Sequence, residues 1–495
     1  GSSNSEMVPG MPVTAWEYDG TWWVYMCEHI LNKGGNASFR PLGMGALFYF
    51  SFLWLIKARK SGNKIKNEGI IMSKKDYQNL ETLCVQAGYD PKSGEPRIAP
   101  IVQSTTFKYD KTQTVADLFD LKESGFFYTR LGNPTIDALE QRVAALDGGA
   151  AAVATSSGQS ASLNAVLNIT NAGDNIVVLN NIYGGTYNLF GTTLKNWGIE
   201  ARFVPSNDLE AAEKQIDDKT TLVYGEVLAN PSTAILDIEK YADLAHSHNI
   251  PLVLDNTLTT PALVKPIDYG CDVVVYSSTK YLDGHATAMG GLVVDSGNFD
   301  WTKGDYPQLT QPDESYHGLV FTDNFGEAAY AARIRTVCLR DLGNIAAPFN
   351  AFLTLRGIET LALRLERHSE NAFKVAKFLQ DHDKVEFVNY PFLESNQDYD
   401  LAQKYLKAGS GVISFGVKGT REDAAKFIEA LDLVSLVVNV ADVRSYALHP
   451  ASSTHRQLSD EELEESGITP NLIRLSVGIE NVDDIIADID QALKA

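Results

Sequence analysis

The chain has 495 residues, 44% of them hydrophobic and 21% charged, which are ordinary values for folded proteins and exclude a disordered chain or a polytopic membrane protein. Acidic residues number 63 against 42 lysines and arginines, and the formal charge of -21 would repel a phosphate backbone, which disfavours a general nucleic-acid binder. The four cysteines form no C-x-x-C pair, which argues against a zinc ribbon or a disulfide framework and favours a reducing compartment such as the cytoplasm.

Residues 1–71 differ in composition from the rest of the chain. An uncharged and mostly apolar stretch, 41–56, is followed at once by a basic cluster. At about 16 residues it is shorter than the roughly 18 to 20 needed to cross a bilayer, and no charged n-region of a signal peptide begins it. We therefore expect natural translation to begin at Met72 and residues 1–71 to lie outside the main fold. A membrane anchor is the alternative.

From about Leu80 onward, short runs rich in β-branched residues alternate with helical stretches. Four of these runs are apolar on both faces: Asn175–Asn180, Thr220–Val227, Ile250–Asp255 and Cys271–Ser278. Such runs are typical of parallel strands that helices cover on both sides. The sequence therefore predicts an α/β sandwich.

Changes in this pattern indicate the domain boundaries. The segment 124–135 is aromatic, contains glycine and is poorly periodic, so we assign 72–135 to an N-terminal arm and 136–345 to a large α/β domain. After about Phe352 a long helical segment precedes expected strands at 385–390, 411–417 and 434–440. This order predicts that 346–495 form a smaller α+β domain.

Three polar motifs follow predicted strands. Ala151–Ser160 contains an apolar run, a turn of small residues and a helical start near Gly158, a pattern that lets backbone N–H groups approach a phosphate. Asp255 ends one apolar run, and Lys280 follows the next beside hydroxyl residues. Both lie at the strand-end edge where α/β proteins bind ligands. An anion site, an acid and a lysine are the set that pyridoxal phosphate requires, although the acid and the lysine could instead form an ion pair.

At these residues the chain resembles the Cys/Met-metabolism family of fold-type-I pyridoxal-phosphate enzymes, over roughly Leu80 to Ala495. The resemblance rests on long motifs in order: YTRLGNPT at 128–135, TSSGQSA at 155–161, NIYGGTYNLF at 181–190, EVLANPST at 226–233, DNTLTTP at 255–261, SSTKY at 277–281 and HPASSTH at 449–455. It implies that the large domain binds the cofactor on a mostly parallel, seven-stranded sheet. It also implies a homo-oligomer, a dimer at least and usually a tetramer.

The resemblance implies roles for the residues that match the family around the cofactor. Lys280 would hold the cofactor covalently and move protons, Asp255 would pair with its ring nitrogen, and Tyr183 would stack on its ring and assist catalysis. The other cofactor contacts within one subunit would come from Gly158, Gln159, Asn230, Thr257, Ser277 and Thr279.

Two further groups complete the implied site. Tyr128 and Arg130 would reach the cofactor phosphate from a neighbouring subunit, so that active sites are shared. Arg474 would bind the α-carboxylate of the substrate, for which a planar guanidinium fork is suited. Asn230 and Asn439 would assist around that carboxylate and the cofactor.

The resemblance also implies an activity, and four features favour one branch of the family. In that branch a lysine takes the Cα proton of O-acetyl-L-homoserine, acetate leaves from Cγ, and sulfide adds to give L-homocysteine for methionine and cysteine biosynthesis. Gly185 stands where methionine γ-lyases have cysteine, Asn439 where lyases and cystathionine enzymes usually have serine, and Arg444 where those relatives usually have glutamate. The stretch 306–319 looks like an insertion typical of the favoured branch.

Other interpretations stay open. Methionine γ-lyase or cystathionine γ-synthase activity would use the same cofactor and fold. A catalytically inactive binding protein would be marked by a substitution at Lys280, Asp255 or Arg474, and all three residues are present. The lack of a G-x-G-x-x-G loop disfavours a nicotinamide oxidoreductase. We expect no metal site, since His246 and His248 close a helical run where solvated or capping histidines are common.

Overall fold

The computed structural model describes residues 77–453 and 469–495. The leader 1–71, with its apolar stretch, and Met72 lie outside the described residues. Two β-sheets organise the described part of the chain, and none of its helices is both long and apolar enough to cross a membrane.

The first sheet has seven strands in the order β1-β7-β6-β5-β4-β2-β3. Within it β7 runs antiparallel to both its neighbours, and the other pairings are parallel. The strands are β1 Ala151–Thr155, β2 Asn175–Leu179, β3 Glu200–Val204, β4 Thr220–Glu226, β5 Leu252–Asp255, β6 Val273–Ser277 and β7 Gly291–Asp295. The predicted α/β class with a mostly parallel, seven-stranded sheet is confirmed.

Alternate residues of the central strands pack into two different cores because helices cover both faces of this sheet. In β5, Leu252 and Leu254 belong to one core and Val253 to the other, and all three are fully buried. Burial on both faces explains why these runs lack the alternation of a half-exposed strand. Each such side chain stabilises the fold by about 1.5–3 kcal/mol relative to its exposed state.

Local caps fix where helices begin and end. The clearest case is a helix that starts at Pro134 behind the capping side chain of Asn133 and stops at Gly148, whose φ of 75° suits glycine. The α-helices are α1 Leu80–Gln86, α2 Thr112–Phe119, α3 Pro134–Asp147, α4 Gly158–Leu167, α5 Gly184–Asn188, α6 Leu209–Lys214, α7 Ile238–Ser247, α8 Thr260–Leu263, α9 Pro307–Thr310, α10 Phe321–Phe325, α11 Ala329–Arg333, α12 Arg340–Leu342, α13 Pro348–Ile358, α14 Leu361–Gln380, α15 Tyr399–Tyr405, α16 Arg421–Glu429 and α17 Val482–Leu493. Short 3-10 turns lie at Pro266–Tyr269, Glu314–Tyr316, Gly326–Ala328 and Pro450–Ser452, and π-helical turns at Leu189–Leu194 and Ile334–Leu339.

The second sheet has five strands in the order β10-β11-β12-β9-β8. They are β8 Val385–Asn389, β9 Val412–Val417, β10 Ser435–Leu436, β11 Tyr446–Leu448 and β12 Leu472–Ser476. The strand predicted at 434–440 is too long, since β10 has two residues and Val438 beyond it is 74% exposed. The chain leaves the sheet there to form a loop that carries Asn439. The domain boundaries at 135/136 and 345/346 stay predictions.

The histidine pair of the HSH motif lies at the end of α7. His248 takes the C-cap position, and His246 Nε2 lies 2.8 Å from Asp272 Oδ2. The hydrogen bond to this carboxylate raises the pKa of His246. Among residues 77–453 and 469–495, no group of three or more His, Cys, Asp or Glu side chains could hold a metal ion.

Candidate active site

Two neighbouring strands place Asp255 and Lys280 at one edge of the first sheet. Asp255 ends β5, and Lys280 lies in the turn that follows β6. Thr257 joins the two strand ends: its amide donates to Asp255 Oδ1 over 2.9 Å, and its hydroxyl oxygen accepts from the Ser277 amide over 2.8 Å. Strand pairing, rather than a long loop, therefore holds the acid and the lysine in place.

The start of α4 approaches the end of β6 so closely that position 158 requires glycine. A Cβ on Gly158 would lie 2.6 Å from Cβ and 2.9 Å from Cα of Ser277. Ser157 caps the helix by accepting from the Ser160 amide at 3.1 Å. The first turn of such a helix has unpaired amides and a partial positive charge. The Ser277 hydroxyl lies beside this turn, so the turn is suited to a phosphate group. The Thr279 hydroxyl lies 3.3 Å from the Gly290 carbonyl.

Tyr183 lies at the start of α5 with 51% of its surface exposed. A Cβ on Gly185 would lie 2.5 Å from both Tyr183 Cε1 and Gln159 Nε2. Close packing therefore favours glycine at position 185. Gln159 Oε1 also accepts from the Thr186 hydroxyl at 3.2 Å, which ties this loop to the start of α4. An exposed aromatic ring beside the start of α4 is suited to stack on a planar ligand.

Asp255 has a second carboxyl group beside it. Glu226 ends β4 directly opposite Asp255 in the strand register, is 9% exposed, and accepts from the Tyr183 amide at 2.5 Å. Burial, together with the charge of Asp255, raises the pKa of Glu226 well above its ordinary value, whereas burial raises the pKa of Asp255 to about 6. Two buried carboxyl groups side by side do not readily both ionise, and the larger upward pKa shift of Glu226 makes Asp255 the group that ionises first.

The surroundings of Lys280 shift its equilibrium towards the neutral amine. Burial lowers the pKa of Lys280 to about 8, the charge of Arg474 acts in the same direction, and the carboxylate of Asp442 opposes both. Lys280 Nζ donates to Asn439 Oδ1 over 2.7 Å. A lysine with this pKa has a sizeable neutral fraction near physiological pH, which nucleophilic attack and proton transfer both require.

Arg474 lies on β12 and is 9% exposed. Its Nη2 donates to the Asn439 carbonyl over 2.7 Å, and its Nη1 donates to Asn230 Oδ1 over 3.4 Å. Its buried Nε has no hydrogen-bond partner among the described residues. Burial lowers the pKa of Arg474 to about 10, so the group stays charged at neutral pH. A charged guanidinium with a free N–H is a suitable anchor for a carboxylate.

Tyr128 and Arg130 lie in a separate groove. This groove, of about 480 Å³, is also lined by Tyr316, His317 and Arg340, and the residues around Lys280 do not line it. The Arg130 guanidinium lies 5.1 Å from the centre of the Tyr128 ring and donates to the Arg340 carbonyl. Within one chain these two side chains are therefore not brought to the lysine, whereas the other predicted site residues gather around it.

Comparison with known proteins agrees with this geometry. The family model for Cys/Met metabolism PLP-dependent enzymes matches residues 81–494. The chain belongs to this family. The predicted cofactor, pyridoxal phosphate, and the predicted fold type are confirmed.

Curated relatives in this family match over nearly their whole length. The O-acetyl-L-homoserine sulfhydrylase of Leptospira meyeri is 47% identical over 425 residues, covering 84% of this chain and 96% of the relative. The homocysteine synthase of Schizosaccharomyces pombe is 47% identical over 424 residues, covering 85% and 99%. A Campylobacter jejuni crystal structure with N'-pyridoxyl-lysine-5'-monophosphate, assigned as an O-acetylhomoserine (thiol)-lyase, has a TM-score of 0.82 at 43% identity, covering 84% of this chain and 100% of that one.

The residues present fit the cofactor of this PLP-dependent family. The ionised Asp255 could pair with a protonated ring nitrogen, and Lys280 could bond to the aldehyde. The unpaired amides of the first turn of α4, at Gly158, could take the phosphate, and the exposed Tyr183 ring could cover one face.

Sequence reasoning did not single out two carboxylates of this site. Glu226 carried a signal, since a glutamate that ends a strand apolar on both faces is seldom buried without a partner. Asp442, which is fully buried near Asn439, carried none, because it follows an apolar run that the sequence predicts to be a strand. Only the fold brings this loop to Lys280.

Proposed function

We propose that the chain catalyses γ-replacement, converting O-acetyl-L-homoserine and sulfide to L-homocysteine and acetate. The observation that carries the proposal is the junction at Asn439, whose side-chain oxygen accepts from Lys280 Nζ and whose backbone carbonyl accepts from Arg474. At this junction Arg474, which can bind a substrate carboxylate, lies near Lys280, whose amine can transfer protons. A reaction at the Cα of an amino acid requires both groups. The names of the relatives support the ester and the sulfur nucleophile.

Substrate binding falls to Arg474 in this proposal. Asn230 and the Asn439 carbonyl fix its two terminal nitrogens, so the guanidinium is oriented before the substrate arrives. Its unpartnered Nε then has a carboxylate oxygen to bind. Because Asn439 also contacts Lys280, we expect the Cα proton of the bound amino acid to lie near the lysine amine.

Proton transfer falls to Lys280. Its pKa of about 8 allows the amine to take a proton at Cα and Cβ and to return one later. Pyridoxal phosphate, when bound, supplies the electron sink that makes these protons acidic. Asp255 would contribute the negative charge that stabilises a protonated ring nitrogen, and Tyr183 would stack on the ring and assist the departing acetate.

A product assay tests the reaction. The protein is supplied with O-acetyl-L-homoserine, O-acetyl-L-serine or L-methionine, each with and without sulfide. The proposal expects homocysteine only when the homoserine ester and sulfide are both present. Release of 2-oxobutyrate from methionine as the main activity would instead support a γ-lyase.

Arg474→Leu should raise the KM for the ester about 100-fold, because truncating a buried charged partner typically costs 2–5 kcal/mol. Arg474→Lys keeps the charge but loses the planar fork, so we expect about a tenfold rise. Steady-state kinetics would measure both, with Arg367→Leu as a control at an arginine whose side chain is 57% exposed. An unchanged KM in Arg474→Leu would remove the carboxylate role.

Shared active sites form part of the proposal. Tyr128 and Arg130 would reach the site of a neighbouring copy, which requires at least a dimer, and we expect a tetramer. Lys280→Ala and Arg130→Ala chains, each inactive alone, should then complement each other when co-assembled. In a random equal mixture of dimers, about a quarter of the sites would have both residues intact. Activity no higher than the sum of the separate variants would contradict sharing.

A cytoplasmic location also belongs to the proposal. The cysteines Cys84, Cys271 and Cys338 are buried and free. Buried thiols of this kind are compatible with a reducing compartment. Fractionation of native cells would test the location.

A further inference from the structure

Asp442 is a buried carboxylate beside the active site with no role in the chemistry above. It is fully buried, and its two oxygens have different partners. Oδ1 accepts from the Arg444 amide at 2.9 Å, and Oδ2 accepts from Asn439 Nδ2 at 2.9 Å. One oxygen therefore holds the loop, and the other holds the side chain that contacts Lys280.

The contact with Asp442 decides which way the Asn439 amide faces. An amide has a donor end and an acceptor end, and a carboxylate accepts only. Because Nδ2 faces Asp442, Oδ1 faces Lys280 and accepts from its Nζ at 2.7 Å. The reversed amide would set a donor against the lysine ammonium and an oxygen against the carboxylate. Serine at this position would need no such anchor, since a hydroxyl both donates and accepts.

The loop from 439 to 445 is held firmly enough to keep this arrangement. Ala441 is buried at φ 68°, a conformation that costs a residue other than glycine about 1–2 kcal/mol. Three contacts hold it there: the Ala441 amide donates to Ser476 Oγ at 2.8 Å, the Val443 amide to the Gly284 carbonyl at 3.0 Å, and the Ser445 amide to Glu480 Oε1 at 2.8 Å.

We propose that Asp442 is a positioning residue that holds the Asn439 amide with its oxygen toward Lys280. The amine, when it is not bonded to the cofactor, then stays where it can move protons. This inference rests on the proposed role of Lys280, but its test needs neither cofactor nor substrate.

The charges around the Lys280 amine determine in which direction its pKa should change when Asp442 is removed. Lys280 is faced by the guanidinium of Arg474 and the carboxylate of Asp442. The charged or titratable groups that face Asp442 are Tyr281, Arg364, Arg444 and Tyr446. Removing Asp442 takes away a negative charge and frees the amide to turn, and both changes destabilise the ammonium form. The titration midpoint of Lys280 should therefore fall.

Competitive acetylation of the cofactor-free full chain with trace acetic anhydride, followed by peptide mass spectrometry across a pH series, reports that midpoint. We expect Asp442→Ala to lower it by about one unit, as loss of a close opposite charge does. Asp442→Asn keeps the shape of the side chain but offers one acceptor oxygen to two donors, so it should also lower the midpoint. This variant replaces Asp442→Ala in the test if the alanine variant folds poorly.

Two further variants test whether Asp442 acts by orienting Asn439, by supporting the loop, or only through its charge. Glu480→Gln removes an acceptor from the same loop without touching Asn439, so it should lower the melting temperature and leave the Lys280 midpoint unchanged. In an Asn439→Ala background, Asp442→Ala should produce a clearly smaller shift, because the two residues act in series. An equal shift with and without Asn439, or no shift at all, would overturn the proposal, whatever the product assay shows.

Discussion

Lys280→Ala should reduce turnover by about 10³-fold to 10⁴-fold and leave a chain that retains no covalently bound cofactor. The amine is the group that the site is arranged to tune, since burial and Arg474 lower its pKa and Asn439 fixes its position. In the proposed mechanism, alanine removes both the group that bonds to the cofactor and the proton carrier. Kinetics with saturating cofactor would measure the first effect, and borohydride reduction followed by intact mass would measure the second.

The matched control is Lys303→Ala, at a lysine whose side chain is 68% exposed and pairs with Asp300. It should bind cofactor and turn over as the wild type does. Small primary amines added to Lys280→Ala should restore part of the rate, because they can carry the missing proton. A borohydride-stable adduct on Lys280→Ala, or a rate within tenfold of the wild type, would contradict the role assigned to this lysine.

The parts of the site that the strand pattern predicted without the family resemblance are those attached to regular strands. Asp255 and Lys280 follow runs apolar on both faces, and parallel strands that end at one edge bring their terminal residues together. Gly158 was predictable for a similar reason, since a small residue between a strand and a helix indicates close approach of two backbones. For these residues, strand order alone determines the neighbourhood.

The contacts that tune these groups were not predictable, because they join segments far apart in the chain. Asn439 and Asp442 belong to a loop of the second sheet, and their contact with Lys280 depends on how that sheet packs against the first. The buried chain from Asn256 Nδ2 to the Tyr276 hydroxyl and on to Asp147 Oδ1 likewise depends on tertiary packing. The error at 434–440 has the same origin: local β propensity was overridden by the loop that carries Asn439.

Asp255→Asn should lower kcat about 10²-fold to 10³-fold, the usual cost of removing one preorganised electrostatic contact to a developing charge. The neutral amide cannot balance a protonated ring nitrogen, so the ring would withdraw electrons less strongly. The fold should not suffer, since the substitution removes a buried charge that lies opposite another carboxyl group. Steady-state kinetics and a urea midpoint, measured on the same preparation, would show lost activity with unchanged or higher stability.

Glu226→Gln provides the discriminating comparison, because it makes the same chemical change on the neighbouring strand. Since burial and the charge of Asp255 favour the protonated form of Glu226, glutamine replaces a neutral group with a neutral group and still leaves an oxygen for the Tyr183 amide. We expect less than about a threefold change in kcat, a difference below 1 kcal/mol. If Glu226→Gln lowered kcat as much as Asp255→Asn does, the negative charge would be shared by the two carboxyl groups or would lie on Glu226. If only Asp255→Asn lowers kcat strongly, Asp255 is the ionised group that supports the reaction and Glu226 is a neutral neighbour. The pKa difference between them then arises because two buried carboxyl groups side by side cannot both ionise.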